Sequence, residues 1–168
     1  WINIPHKADD AYIDSLAQLM QDDLDPALKV YLEFSNEVWN GGFSQHADCA
    51  QLALNLGYTG QGMQIAVLDA GFNSADVIGA FDSLRAGHRI LSTWDFVMNE
   101  QTVYEDDAHG SEVLSCMASN VPGQLVGTAP QAAFYLLRSE DANTENIVEE
   151  YNWAAAAAYA DSAGADII

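Results

Sequence analysis

The chain has 168 residues, of which 25 are acidic and 5 basic, for a net charge of -20. Hydrophobic residues make up 49% and charged residues 18%, the balance of a folded chain rather than a disordered one. So much negative charge repels phosphate backbones and anionic lipid, which excludes nucleic-acid and membrane-surface roles from the expected functions.

The length suits one ordinary domain or two small pieces. Cys49 and Cys116 match no metal or redox spacing and read as free, buried or half-buried thiols. No apolar run is long enough to span a bilayer. The chain starts at Trp1 and stops within Ala165-Asp166-Ile167-Ile168, which reads as a core strand getting under way. Both ends are therefore expected to be cuts in something longer.

Asp9 or Asp10 is placed to cap a helix with apolar positions Tyr12, Ile13, Leu16, Leu19, Met20 and Leu24, stopped by Asp25-Pro26. Residues 29–34 read as a buried strand that delivers Ser35-Asn36-Glu37 to its C-terminal end. Residues 46–56 are again helical, with Gly57 at the left-handed cap position. A turn over residues 59–62 leads into a strand, 63–68, ending at Asp69. A second strand is expected over 90–96, and a polar loop over 98–108 contains the solvated run Glu105-Asp106-Asp107. A helix follows over 110–119, then an irregular connection over 121–130 and a fully apolar strand over 132–137. A long helix over 144–163 has Thr144 as its expected N-cap and Gly164 beyond its end. Strands separated by helices imply a parallel sheet covered on both faces.

Two stretches carry candidate chemistry. Ile65-Ala66-Val67-Leu68-Asp69-Ala70-Gly71 delivers a carboxylate from a buried strand into a turn at the sheet edge, where active sites collect. Asp107-Ala108-His109-Gly110-Ser111-Glu112-Val113-Leu114-Ser115 sets a histidine at the mouth of a helix. In this order they resemble the Asp and His motifs of the subtilisin-like peptidase family. Val126-Gly127-Thr128-Ala129-Pro130 with the strand Ala133-Phe134-Tyr135-Leu136-Leu137-Arg138 resembles a further family segment, and Gly164–Ile168 is similar to the strand that goes on to build the S1 pocket.

The resemblance covers residues 58–168 and implies a Ser-His-Asp triad with Asp69 and His109 as two of its members. The family's chain order puts the serine beyond residue 168, so the 168 residues are expected to be inactive alone. Two departures affect tuning: Ala70 stands where the family has Ser or Thr, losing a hydroxyl bond to the carboxylate, and Ser111-Glu112 replaces the usual Thr-His. Ser119–Leu125 lacks an Asn-rich pattern, so the calcium that the full family domain can hold is not expected, nor any other cofactor.

Residues 1–45 instead resemble a fragment of a (β/α)₈ glycoside hydrolase, with Glu37, next to Asn36, at the acid/base position. The expected organisation is a barrel fragment (1–45), a junction helix (46–57) and a partial peptidase domain (58–168), joined either by a genuine fusion or by assembly of fragments of two secreted hydrolases into one reading frame. The fold class is α/β: an incomplete subtilisin-like parallel sheet with helices on both faces, preceded by a short β/α fragment. The expected function is peptide-bond hydrolysis on a protein or peptide substrate, in an extracellular setting implied by both families, with oligomeric state left open. The alternatives are a carbohydrate-active fragment using Glu37 and a non-catalytic acidic interaction module.

Overall fold

In the computed structural model the described residues are 2–5, 7–24, 32–34, 48, 51–52, 54–144 and 146–168. They fall in two compact units, Trp1–Cys49 and Ala50–Ile168. In the first, β1 (Ile2–Ile4) and β2 (Leu32–Phe34) pair in parallel, Ile2 opposite Leu32 and Ile4 opposite Phe34. Helix α1 (Asp10–Asp23) lies between them in sequence. Asp9 is extended, and its carboxylate accepts the Tyr12 N–H at 2.8 Å, so Asp9 rather than Asp10 is the N-cap. Asp10 then places negative charge at the helix's positive end. Glu37, Asn36 and Cys49 lie outside the described residues, as do parts of the expected junction helix; residues 51, 52, 54 and 55 are helical, and Gly57 follows at φ 82°.

The second unit is built on three strands: β3 (Gln64–Asp69), β4 (Ile90–Asp95) and β7 (Ala133–Arg138). Between β4 and β7 in sequence comes a separate small antiparallel hairpin, β5 (Asn120–Val121) and β6 (Leu125–Val126). The large sheet has the order β3-β7-β4, all parallel. Its helices are α2 (Asp82–Ala86), α3 (His109–Ala118) and α4 (Val148–Ala163).

β3 and β7 are near-continuously apolar because both of their faces are covered. Ile65, Val67, Phe134 and Leu136 point to one side, where they meet Leu84 of α2 and Leu114 and Ala118 of α3. Ala66, Tyr135 and Leu137 point to the other, against Ala156 and Ala160 of α4. Small side chains at these two α4 positions bring the helix close to the sheet. Central β7 is the most deeply buried strand, with Phe134, Leu136 and Leu137 all fully covered. Each such side chain contributes about 1.5–3 kcal/mol by leaving water. On the far side of β3, Ile167 pairs in parallel with Ile65, and the Ala66 N–H donates to Ile167 O at 2.8 Å.

Three details differ from expectation. The long helix starts at Val148, because Thr144 closes its own turn: its N–H and hydroxyl both bond Asp141, at 2.9 and 3.0 Å. The connection over 121–130 contains the β5–β6 hairpin, turned at Gly123 with φ 82°. Residues 79–86, where no element was expected, form a 3-10 turn running into α2, buried through Phe81 and Leu84. The Arg89 guanidinium ties this region to the β7 approach, donating to Ser83 O, Pro130 O and Ala132 O at 2.8–3.0 Å.

Candidate active site

Three strands end level with one another. Asp69 of β3 lies opposite Arg138 of β7, and Arg138 lies opposite Asp95 of β4. All three charged side chains are buried at this C-terminal edge. A buried charge persists only when paired or hydrogen-bonded, so each must have partners. Asp95 accepts the Val97 and Met98 N–H groups at 2.7 and 2.8 Å through one oxygen and Arg138 Nη1 at 2.8 Å through the other.

Helix α3 points its first residue, His109, at Asp69. Its second residue has to be glycine: a Cβ on Gly110 would fall on the Gly71 carbonyl oxygen and lie 2.9 Å from Asp69 Cβ and Phe72 Cε1. The helix mouth therefore sits directly on the turn that follows the strand. Asp107 fixes the helix start by accepting the His109 N–H at 2.7 Å, and buried Ser111 donates to Asn73 O at 2.9 Å. The turn after Asp69 is laced to the loop before His109 by Phe72 N–H to Val103 O and Asn73 N–H to Asp107 O.

The result is a close pair. His109 Nδ1 lies 2.9 Å from Asp69 Oδ2 and 3.0 Å from Oδ1. The Ala70 N–H donates to Oδ1 at 2.7 Å, which holds the carboxylate plane. A carboxylate only accepts, so the ring nitrogen facing it carries a proton, and in the neutral ring Nε2 keeps its lone pair. The bond to Asp69 and its negative charge raise the His109 pKa above the ordinary value, with Glu112 and Asp107 adding to the effect and burial opposing it. The carboxylate is covered while the His109 side chain is 65% exposed, so the ring's outer edge is open to a reactant. This arrangement suits general-base catalysis: an oriented imidazole with its counter-charge behind it.

Asp69 and His109 thus come together as the sequence suggested, whereas Glu37 lies outside the described residues. Sequence reasoning missed the tasks of three other residues. The sequence presents Asp106 and Asp107 as parts of a solvated run, but Asp106 Oδ2 lies 3.3 Å from Arg138 Nη1, and Asp107 caps His109. Arg138 is the third. Its signal was a lone base closing an otherwise apolar strand, which in a buried position calls for acidic partners. A cleft of about 320 Å³ opens over the Arg138 side of this edge, lined by Ala70, Asp106, Asp107, Arg138 and Asn143 among others. Among the described residues no group of three or more His, Cys, Asp or Glu side chains is placed to hold a metal ion. Cys116 is a half-buried free thiol on α3, its Sγ 3.5 Å from Glu112 O.

Comparison with known proteins bears on the same residues. Residues 60–168 match the profile described as the Subtilase family. The chain is 30% identical over 146 residues to the alkaline elastase YaB of Bacillus sp. (strain YaB), an alignment covering 79% of this chain and 34% of that protein. Among solved structures it resembles the MycP3 protease from the type VII (ESX-3) secretion system, with a TM-score of 0.53 and 22% identity over 71% of this chain and 35% of that one. It also resembles MycP1 with the N-terminal propeptide removed, with a TM-score of 0.52 and 24% identity over 77% and 36%. The two structural likenesses speak to the fold. The chain spans about a third of the length of these relatives.

Proposed function

The chain belongs to the subtilase family, and on that premise we propose that Asp69 and His109 are two members of the triad of a serine endopeptidase. The observation that carries this reading is the contact of His109 Nδ1 with both carboxylate oxygens of Asp69 at the C-terminal edge of a parallel sheet. Asp69 keeps the proton on Nδ1, and Nε2 takes the proton of a serine hydroxyl as its oxygen bonds to the scissile carbonyl carbon. The carboxylate stabilises the imidazolium so formed. Nε2 then gives the proton to the leaving amine as the C–N bond breaks. Water completes the cycle by the same route, hydrolysing the acyl-enzyme.

The family's chain order puts the serine after both residues, beyond residue 168, and the 168 residues alone then hydrolyse no peptide bond. The substrate is a protein or peptide. The setting proposed with it is extracellular.

The test is labelling by a fluorophosphonate probe of the protein expressed from its complete coding sequence. The expected result is a single modified serine C-terminal to Ile168, with labelling largely lost in His109→Ala. No modified serine, or equally fast labelling of His109→Ala, would reject the reading.

A further inference from the structure

Resting on that reading, we propose that Arg138 is a positioning residue for the pair: it holds the Ala70 peptide and the loop before His109 in register, and so sets the contact between carboxylate and imidazole. The family hydroxyl that would bond the carboxylate from the next residue is absent here, because that residue is Ala70. What steadies the carboxylate is the Ala70 N–H, at 2.7 Å from Asp69 Oδ1. The carbonyl of that same residue accepts Arg138 Nε–H at 2.9 Å, a bond buried on both sides. Ala70 is thereby clamped at both ends, one on the carboxylate and one on the guanidinium.

The guanidinium is itself anchored. Its Nη1 bonds Asp95 Oδ2 at 2.8 Å, inside the sheet edge where Asp95 is fully covered. The same nitrogen lies 3.3 Å from Asp106 Oδ2, next to the residue whose carboxylate caps His109. A single rigid fork therefore joins the end of β4, the turn that follows Asp69 and the loop that delivers His109. A lysine ammonium at this position keeps the charge but lacks the fork, so it cannot hold Asp95, Asp106 and Ala70 O in this geometry.

The experiment is an NMR titration of the His109 ring in the protein expressed from its complete coding sequence, comparing wild type, Asp69→Asn, Arg138→Lys and Arg138→Gln. The groups facing the ring are Asp69, Glu112 and Asp107. Asp69→Asn lowers the His109 pKa; if it does not, the pair is uncoupled and the functional reading fails. Granted that drop, a positioning role predicts that Arg138→Lys and Arg138→Gln both lower the His109 pKa, by at least half of the Asp69→Asn difference. The direction is decisive, because loss of a cation acting only through space raises a neighbouring imidazole's pKa. An unchanged value in Arg138→Lys, or a rise in Arg138→Gln, overturns the inference and leaves the functional reading intact. Should the variants fail to fold, the wild-type chain supplies its own test: a slowly exchanging Arg138 Nε–H with a through-hydrogen-bond coupling to the Ala70 carbonyl carbon. Absence of that coupling overturns the inference directly.

Discussion

At the scale of single residues, the pairing of His109 with Asp69 has a thermodynamic signature that needs no substrate. The folded-state pKa of His109 is raised, chiefly by the bond to Asp69, so the folded chain holds the ring proton more tightly than the unfolded one. The stabilisation is then fully present below the unfolded-state value, about 6.5, and is lost as pH rises through the raised folded-state value. His109→Gln should therefore cost most stability in mildly acid solution and progressively less toward alkaline pH, as read from urea midpoints across that range. A difference independent of pH would mean that the ring contributes only packing. Asp69 and His109 were legible in the sequence because their two short patterns, a carboxylate after an apolar strand and a histidine before a helical glycine, occur together in the family's order. Arg138, Asp106 and Asp107 were not, because their tasks depend on partners 32 or more residues away in sequence or on a turn geometry that sequence does not display: Arg138 on Ala70, Asp95 and Asp106, and Asp107 on the start of α3.

At the scale of elements, the site depends on how closely α3 approaches the end of β3. Gly110→Ala introduces a methyl group into the Gly71 carbonyl and beside Asp69 Cβ. The expected cost is about 1–3 kcal/mol, with the His109 titration moving toward that of free imidazole as the helix mouth is pushed away. Thermal melting and ring NMR of the same sample check both halves of that statement. In the central strand, Leu136→Ala removes a fully buried side chain from the cluster shared with α2 and α3. That change should cost about 2–5 kcal/mol, measured by urea unfolding. The strands β3, β4 and β7 and the helix α3 were readable to within a residue or two, since apolar runs and helical spacing reflect burial directly. The start of α4 was not, because Thr144 spends its hydroxyl on Asp141 instead of on a helix N–H. The turn into α2 was missed because only Phe81 and Leu84 anchor it, too few positions to establish a period.

At the scale of the whole molecule, the net charge of -20 opposes compactness while exposed apolar residues at the sheet margins favour association. Leu91 on β4 and Ile167 and Ile168 beside β3 are all more than two-fifths exposed. Added salt screens the repulsion within about a Debye length, roughly 8 Å at physiological ionic strength. The thermal midpoint and the tendency to associate should therefore rise together with salt, as calorimetry and light scattering will show. A midpoint insensitive to salt would mean that the acidic side chains are already spaced widely enough not to repel. The α/β class and the parallel sheet with helices on both faces followed from the alternation of strands and helices, while the family followed from short motifs in the right order rather than from composition.

The proposed task of Asp69 and His109 is to activate a serine nucleophile together. Its most direct test is peptide hydrolysis by the protein expressed from its complete coding sequence, compared with its Asp69→Asn and His109→Ala variants. The expected result is a fall in kcat of about 10⁴-fold in Asp69→Asn and of about 10⁶-fold in His109→Ala, both variants remaining folded. Hydrolysis by either variant within tenfold of wild type would contradict it.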